Sequence, residues 1–286
     1  MKKLALLLAA LGLVSAVAYT AEEPKLKVTS IGQEFELENT SGGSDIGEDV
    51  WATMNVGLSY GKWTFGVLGG KIANVDSDEY TDKGGRFQFD AMRNFGNYQL
   101  GFRYRIHNEN QDRWYLRGAW QQGMFWGSAD LWYQVNQGTG KNENDVFRGE
   151  IFPLGIQYKD YKVGWFVDWT KATGNLSDTA LEESFEHQLR FYAPIYKGEK
   201  LTLSTEYRLT LTADNDYQTK DDHAGVYEDF GRHRLYIKAN YKVTESLDVY
   251  GHYAYELRDR EFADDGKSCD SDNYFNTLLL GWKYKF

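Results

Sequence analysis

The sequence predicts an all-β fold, a single transmembrane antiparallel up-and-down β-barrel of about fourteen strands, with twelve as the neighbouring count. Three observations predict it. Apolar and polar residues alternate over nine to eleven positions again and again. The connections between these segments alternate short and long. No apolar run after residue 18 is long enough for a transmembrane helix.

The chain begins with Lys2 and Lys3, followed by the uncharged apolar run Leu4–Val14 and by Ala16-Val17-Ala18, an A-x-A pattern. These features predict a cleaved signal peptide over 1–18 and leave 19–286 as the barrel domain. The apolar run is too short to cross a bilayer as a helix. The formal net charge is −10, and loss of Lys2 and Lys3 makes the remainder more acidic. That balance argues against nucleic acid as a partner and against docking on anionic lipid by charge. Cys269 is the single cysteine, so no internal disulfide can form. Aromatics at 16%, Gly at 29 and a mean hydropathy of −0.61 suit a wall with lipid on one side and water on the other.

The strands follow from period two. In 51–60, Ala52, Met54, Val56, Leu58 and Tyr60 oppose Thr53, Asn55, Gly57 and Ser59. In 98–106, Tyr98, Leu100, Phe102, Tyr104 and Ile106 oppose Gln99, Gly101, Arg103 and Arg105. Similar alternation predicts strands at 25–38, 50–60, 63–72, 86–95, 98–107, 113–122, 126–136, 147–158, 161–170, 185–196, 201–211, 232–241, 247–258 and 273–286. The first is the least regular, with a phase slip expected near Gly32. A tilted strand needs about nine to eleven residues to cross a bilayer, more than the usual soluble strand. Short connections such as Gly61-Lys62 and Lys159-Asp160 alternate with the polar segments 39–49, 73–85, 108–112, 137–146, 171–184, 212–231 and 259–272. One rim therefore carries turns and the other loops. A soluble sandwich or lipocalin-like barrel is the alternative, with the apolar face inward. Trp51, Tyr60, Trp63, Tyr98, Trp114, Tyr158, Tyr161, Trp169 and Tyr241 weigh against it, because they read as an interfacial girdle on the apolar face.

With the apolar phase toward lipid, the opposite phase lines the lumen. It offers Arg103, Arg105, Arg117, Arg148, Arg190, Arg208 and Arg234, together with Glu150, Asp168, Glu186, Glu206 and Glu256, as the main pore-lining candidates. Asp90, Asp130, Lys162, Arg232, Lys238, Asp248 and Arg258 share that phase. Charges of both signs on facing walls order water and favour polar solutes; they also neutralise one another and stiffen the wall. His107 and His252 fall on the inner phase, His187 and His233 on the outer, and His223 in a loop. Acidic residues crowd 212–231 (Asp214, Asp216, Asp221, Asp222, Glu228, Asp229) and 259–272. Their spacing matches no calcium loop, so no metal site and no cofactor is expected. The segment 212–231, being longest, is the candidate to fold into the lumen.

The chain closes Gly281-Trp282-Lys283-Tyr284-Lys285-Phe286. Gly281, Tyr284 and Phe286 match the G-x-x-aromatic-x-Phe assembly signal of bacterial outer-membrane proteins, although Leu279 stands where a polar residue is frequent. On this motif and on its layout, the chain resembles the monomeric fourteen-stranded porins typified by outer membrane porin G. The resemblance covers nearly all of residues 19–286. It implies an outer-membrane location, contact with lipid and lipopolysaccharide, insertion by the barrel-assembly machinery, and passive diffusion of small hydrophilic solutes, including sugars and oligosaccharides. That family includes a member gated by paired lumen histidines on adjacent strands; here His233 and His252 are the adjacent pair, but His233 has the outer phase. An omptin-like protease is a second class, for which Asp76, Asp78, Asp221 and His223 have suggestive spacing, although omptins have ten strands. An adhesin using the long loops is a third. No catalytic residue is assigned, and the expectation is a channel, not an enzyme.

Overall fold

The computed structural model describes residues 24–39, 49–76, 79–107, 111–136, 144–174, 181–217, 225–262 and 273–286. The segment 1–18, expected as a signal peptide, lies outside these residues. Fourteen strands follow in chain order: β1 Lys27–Asn39, β2 Asp49–Tyr60, β3 Trp63–Asp76, β4 Glu79–Asn94, β5 Tyr98–His107, β6 Gln111–Gln122, β7 Phe125–Asn136, β8 Val146–Tyr158, β9 Tyr161–Ala172, β10 Leu181–Lys197, β11 Leu201–Tyr217, β12 Gly225–Lys242, β13 Leu247–Phe262 and β14 Asn273–Lys285. Each strand pairs antiparallel with its neighbours in sequence, and β1 pairs with β14 from Ser30↔Lys285 to Asn39↔Asn276. The sheet is thereby a closed barrel. Closure removes the free edges of the first and last strands, whose backbone groups hydrocarbon could not satisfy.

The fourteen-strand count holds, and the tight turns fall where expected. Gly61, Gly96 and Gly123 take positive φ in three of them, and Lys159 takes φ 54° in the two-residue turn from β8 to β9. Two prolines sit where the ladder is irregular. The register of β8 against β9 shifts between Ile151 and Leu154, around Pro153, and that of β10 against β11 shifts between Pro194 and Tyr196. A residue without an N–H fits at a bulge, where no ladder bond is owed.

Several strands run past the periodic segments. β3 reaches Asp76, β4 starts at Glu79, β11 extends to Tyr217 and β12 starts at Gly225. The segments 73–85 and 212–231, expected as loops, are therefore mostly strand. Residues 212–217 and 225–230 prolong the wall instead of folding into the lumen, while 218–224 lie outside the described residues. At 73–85 the hairpin's own backbone pairs form although its residues are mostly polar, whereas 212–217 pair with β10 and 225–227 with β13, the β11–β12 register among the described residues ending at Leu209↔His233. The irregularity in β1 lies between Val28 and Ser30, earlier than the expected slip near Gly32.

The two faces separate as period two requires. On the outer face Met54, Leu100, Leu116, Phe147, Trp165, Leu235 and Leu280 are exposed. The inner face is concave, so side chains of strands two places apart meet on it: Arg117 of β6 reaches Asp90 of β4, and Tyr250 of β13 reaches Glu34 of β1. One girdle residue is corrected. Trp51 pairs with Glu36 and Ile72 on the inner face, and the Arg86 guanidinium lies 4.0 Å over its ring. It shares its phase with Thr53 and Asn55, and position near a strand end does not outweigh phase.

Candidate functional site

The register places every pore-lining candidate on the inner face, and it arranges them in rows no single strand reveals. Asp130, Glu150, Asp168 and Glu186 are directly paired across β7, β8, β9 and β10. Arg190, Arg208 and Arg234 are directly paired across β10, β11 and β12, and Glu256 of β13 ends that row. Arg105 faces Arg113 across β5 and β6. Like charges in register repel, so each row needs partners from neighbouring rows.

Two networks supply them. In β4–β7, Asp90 and Asp130 are shared by Arg103 and Arg117. Arg103 Nε donates to Asp90 at 2.6 Å, Arg117 Nη1 to Asp90 at 2.8 Å and Arg117 Nε to Asp130 at 2.9 Å. In β10–β13 the carboxylates are deeper. Glu256, fully buried, takes Arg232 at 3.1 Å together with Arg234 and Arg258. Glu186 accepts from Arg232 at 2.7 Å, from Gln188 at 2.7 Å and from the Thr210 hydroxyl. Glu206 accepts from Arg208 at 2.6 Å and Lys238 at 2.5 Å. Arg148 approaches Asp168 only to 3.8 Å. Glu150, on β8 between Asp130 and Asp168, is exposed, as is Lys162 of β9. Arg208–Glu206 and Arg258–Glu256 lie within one strand, and the other pairs join a strand to its first or second neighbour around the ring, which holds the side chains against the wall.

Aromatic rings line the same face, which the apolar-out reading missed. Tyr115 and Trp132 stack at 5.0 Å, with Arg103 and Arg105 over Tyr115 and Arg148 over Trp132. Trp126, Phe152 and Phe166 form a run with successive centroids 5.0 Å apart. Glycines seat two of these rings flat. A Cβ on Gly155 would come within 2.2 Å of the Trp126 ring, and one on Gly164 within 2.8 Å of both the Phe152 and Trp126 rings. Gly281 does the same for Tyr250, whose ring would lie 2.8 Å from an added Cβ and whose hydroxyl donates to Glu34 at 2.7 Å. Gly281, singled out as part of the terminal signal, thus also has a seat to provide inside the barrel. Tyr284 and Phe286 lie exposed and edge to face at 5.1 Å.

Sequence reading also passed over Glu34, Glu36 and Glu38, an acidic row on the inner face of β1. The signal was present: Glu34-Phe35-Glu36-Leu37-Glu38 alternates without a fault. Glu36 lies within electrostatic reach of Arg86 on β4 and Arg234 on β12. Beside Glu34, a niche of about 410 Å³ opens in the inner wall, lined by Thr202, Ser204, Lys238, Asn240, Tyr250 and His252.

The histidines fall as phase demands. His233 is on the outer face, hydrogen-bonded with Tyr207 at 2.7 Å, and His187 accepts from Trp165 Nε1 at 3.3 Å on the same face. His252 is on the inner face, edge-on to Tyr236. The geometry therefore gives no facing lumen pair between β12 and β13. Of the omptin-like positions, Asp78, Asp221 and His223 lie outside the described residues, as do Asp222 and the acidic residues Asp264, Asp265, Asp270 and Asp272. Among the described residues, no three His, Cys, Asp or Glu side chains are grouped to hold a metal ion.

The fold and its charged inner wall define a closed fourteen-stranded antiparallel barrel of the outer-membrane kind. No family model matches the chain, and no curated protein matches it. Among solved structures, a bacterial polysaccharide outer membrane secretin is similar, with a TM-score of 0.55 and 9% identity over 91% of this chain and 98% of that one. An anion-selective porin from Comamonas acidovorans gives 0.47 at 13% identity over 92% and 100%, and the NanC porin 0.43 at 12% over 89% and 100%. At such identities the likeness is one of fold.

Proposed function

We propose that this chain is a porin of the bacterial outer membrane, exported through a signal peptide at 1–18 and inserted as a monomer by the barrel-assembly machinery. It provides a water-filled path for passive diffusion of small hydrophilic solutes, ions and sugars or oligosaccharides, with no catalysis and no cofactor. Kinship with the porins typified by porin G is the finer reading, supported by the strand count, the turn and loop asymmetry and the Gly281–Phe286 ending.

One observation carries the proposal. The outer face is exposed and apolar, whereas Glu150 and Lys162 on the inner face are exposed to solvent inside the ring. A soluble barrel has the reverse arrangement. A dry interior would charge several kcal/mol for each such ion, of the order expected for a buried unpaired group. The inner wall therefore suits water, and the outer one lipid. Refolded protein in a planar bilayer should give stepwise ohmic conductance in single units. A folded, inserted barrel that passes no current would remove the reading.

A further inference from the structure

Two arginines of the inner wall are fixed in place without being neutralised, and they are fixed in the same way. Gln188, 2% exposed, donates through Nε2 to Glu186 at 2.7 Å and accepts Arg190 Nε at 2.8 Å. Gln88 donates through Nε2 to Asp90 at 2.5 Å and accepts Arg105 Nε at 2.8 Å. In each case an amide stands between a carboxylate and a guanidinium that could have paired directly. The carboxylates are already engaged, Glu186 by Arg232 and Asp90 by Arg103 and Arg117. An aromatic face sets the plane of each guanidinium: Phe166 lies 3.3 Å from Arg190 Cζ and Tyr115 lies 5.4 Å from Arg105 Cζ.

Each relayed arginine also faces a second one in register. Arg190 pairs with Arg208, and Arg105 with Arg113, whose Nη2 donates to Gln111 at 2.8 Å. Among the described residues, Arg105, Arg113 and Arg190 have no carboxylate within ion-pair distance, whereas Arg208 is held by Glu206. Paired like charges cost stability. Placing them in register, with each relayed guanidinium immobilised through Nε, leaves the terminal nitrogens of Arg105, and those of Arg190 beyond its contact with the Tyr192 hydroxyl, to a visiting acceptor. A guanidinium fork matches a two-oxygen anion, carboxylate or phosphate.

We propose that the register pairs Arg190–Arg208 and Arg105–Arg113 are two binding stations for small oxyanion solutes on the inner wall, positioned by Gln188 and Gln88. The inference deepens the channel reading by naming a solute class, and its test does not depend on conduction. Equilibrium binding to the full barrel refolded in detergent is measured by calorimetry with glucuronate, inorganic phosphate and, as the uncharged counterpart, glucose. Binding of glucuronate or phosphate that weakens with added salt, with glucose silent, is the expected result. The double variant R105Q/R190Q should lose about tenfold or more in affinity, the worth of a lost charge-assisted hydrogen bond. Q188E with Q88E, which places a carboxylate against each guanidinium while keeping every arginine, should lose a similar factor. Native-like migration on unheated gels establishes that each variant is folded. Equal binding of glucose and glucuronate, no binding of either oxyanion, or unchanged affinity in both folded variants would overturn the stations. Oxyanion binding by a barrel that passes no current would leave them standing while removing the channel.

Discussion

The wall formed by β10–β13 and the wall formed by β4–β6 use the same residue types to opposite ends. In β10–β13, Glu186, Glu206 and Glu256 are buried, and each is held by one or more cations. Except at Arg190, charge there is spent on charge, and the result is a stiff self-neutralised net. In β4–β6 the carboxylate Asp90 is shared by Arg103 and Arg117, while Arg105 and Arg113 rest on glutamines and an aromatic ring. The lesson is that a count of charges on a barrel's inner wall says little. What matters is how many cations each carboxylate already holds, because only the surplus acts on a solute.

The difference can be broken most forcefully at Glu256. Its carboxylate is inaccessible and faces three arginines. Replacing it with Gln strands those cations, and E256Q should lose about 3–5 kcal/mol, the cost of removing one partner from a buried ion cluster. Urea titration of the lipid-embedded barrel reads this as a lower midpoint. A midpoint within error of wild type would mean the net is not the stabilising element described.

Next comes the seat beneath Trp126. G155A forces a Cβ against the indole, with a cost of about 1–3 kcal/mol for overpacking at a site with no free volume. The ring must leave the wall, so tryptophan emission should shift together with stability. Loss of stability without any spectral change would point to backbone strain instead of the seat.

Beside the arginine-rich wall, on β7, D130N should cost only about 1 kcal/mol, since Asp130 is half-buried and Arg117 keeps Asp90. Its clearer effect should be electrical. Reversal potentials under a KCl gradient should move toward anion preference, because Arg117 loses one of its two counter-charges. A move toward cations would contradict the surplus-charge picture.

The smallest effect belongs to the rim of turns. Lys197 and Asp160 form a bridge at 2.5 Å with both side chains about half exposed. K197Q should change stability by about 0.5 kcal/mol or less, as for exposed pairs generally. It should leave conductance unaltered. A larger loss would show that the short turns are stapled by charge.

How much of this was legible beforehand differs from residue to residue. The faces of Arg103, Arg190, Glu206 and Glu256 follow from period two alone, as does the outward turn of His233. Glu34, Glu36 and Glu38 were equally legible but sat on a strand whose irregular start, at Val28–Ser30, obscured its phase. Trp51 lies on the inner face because alternation outweighs nearness to a strand end. The top of β11 was hidden because 212–217 is mostly polar and carries no hydropathy alternation, and that of β12 because 225–231 has no regular alternation either.

The sequence by itself narrowed the strand number to fourteen or twelve and determined the sidedness of nearly every strand and the short-turn rim, because these are local consequences of a two-residue repeat and of turn chemistry. Only the tertiary structure decided the rows of like charge from Asp130 to Glu186 and from Arg190 to Arg234, the reach of Arg232 to Glu186 across β11, and the rings laid flat on glycine. Those depend on register and curvature. Alternation tells a side chain which face it is on, but not which neighbour it will meet there.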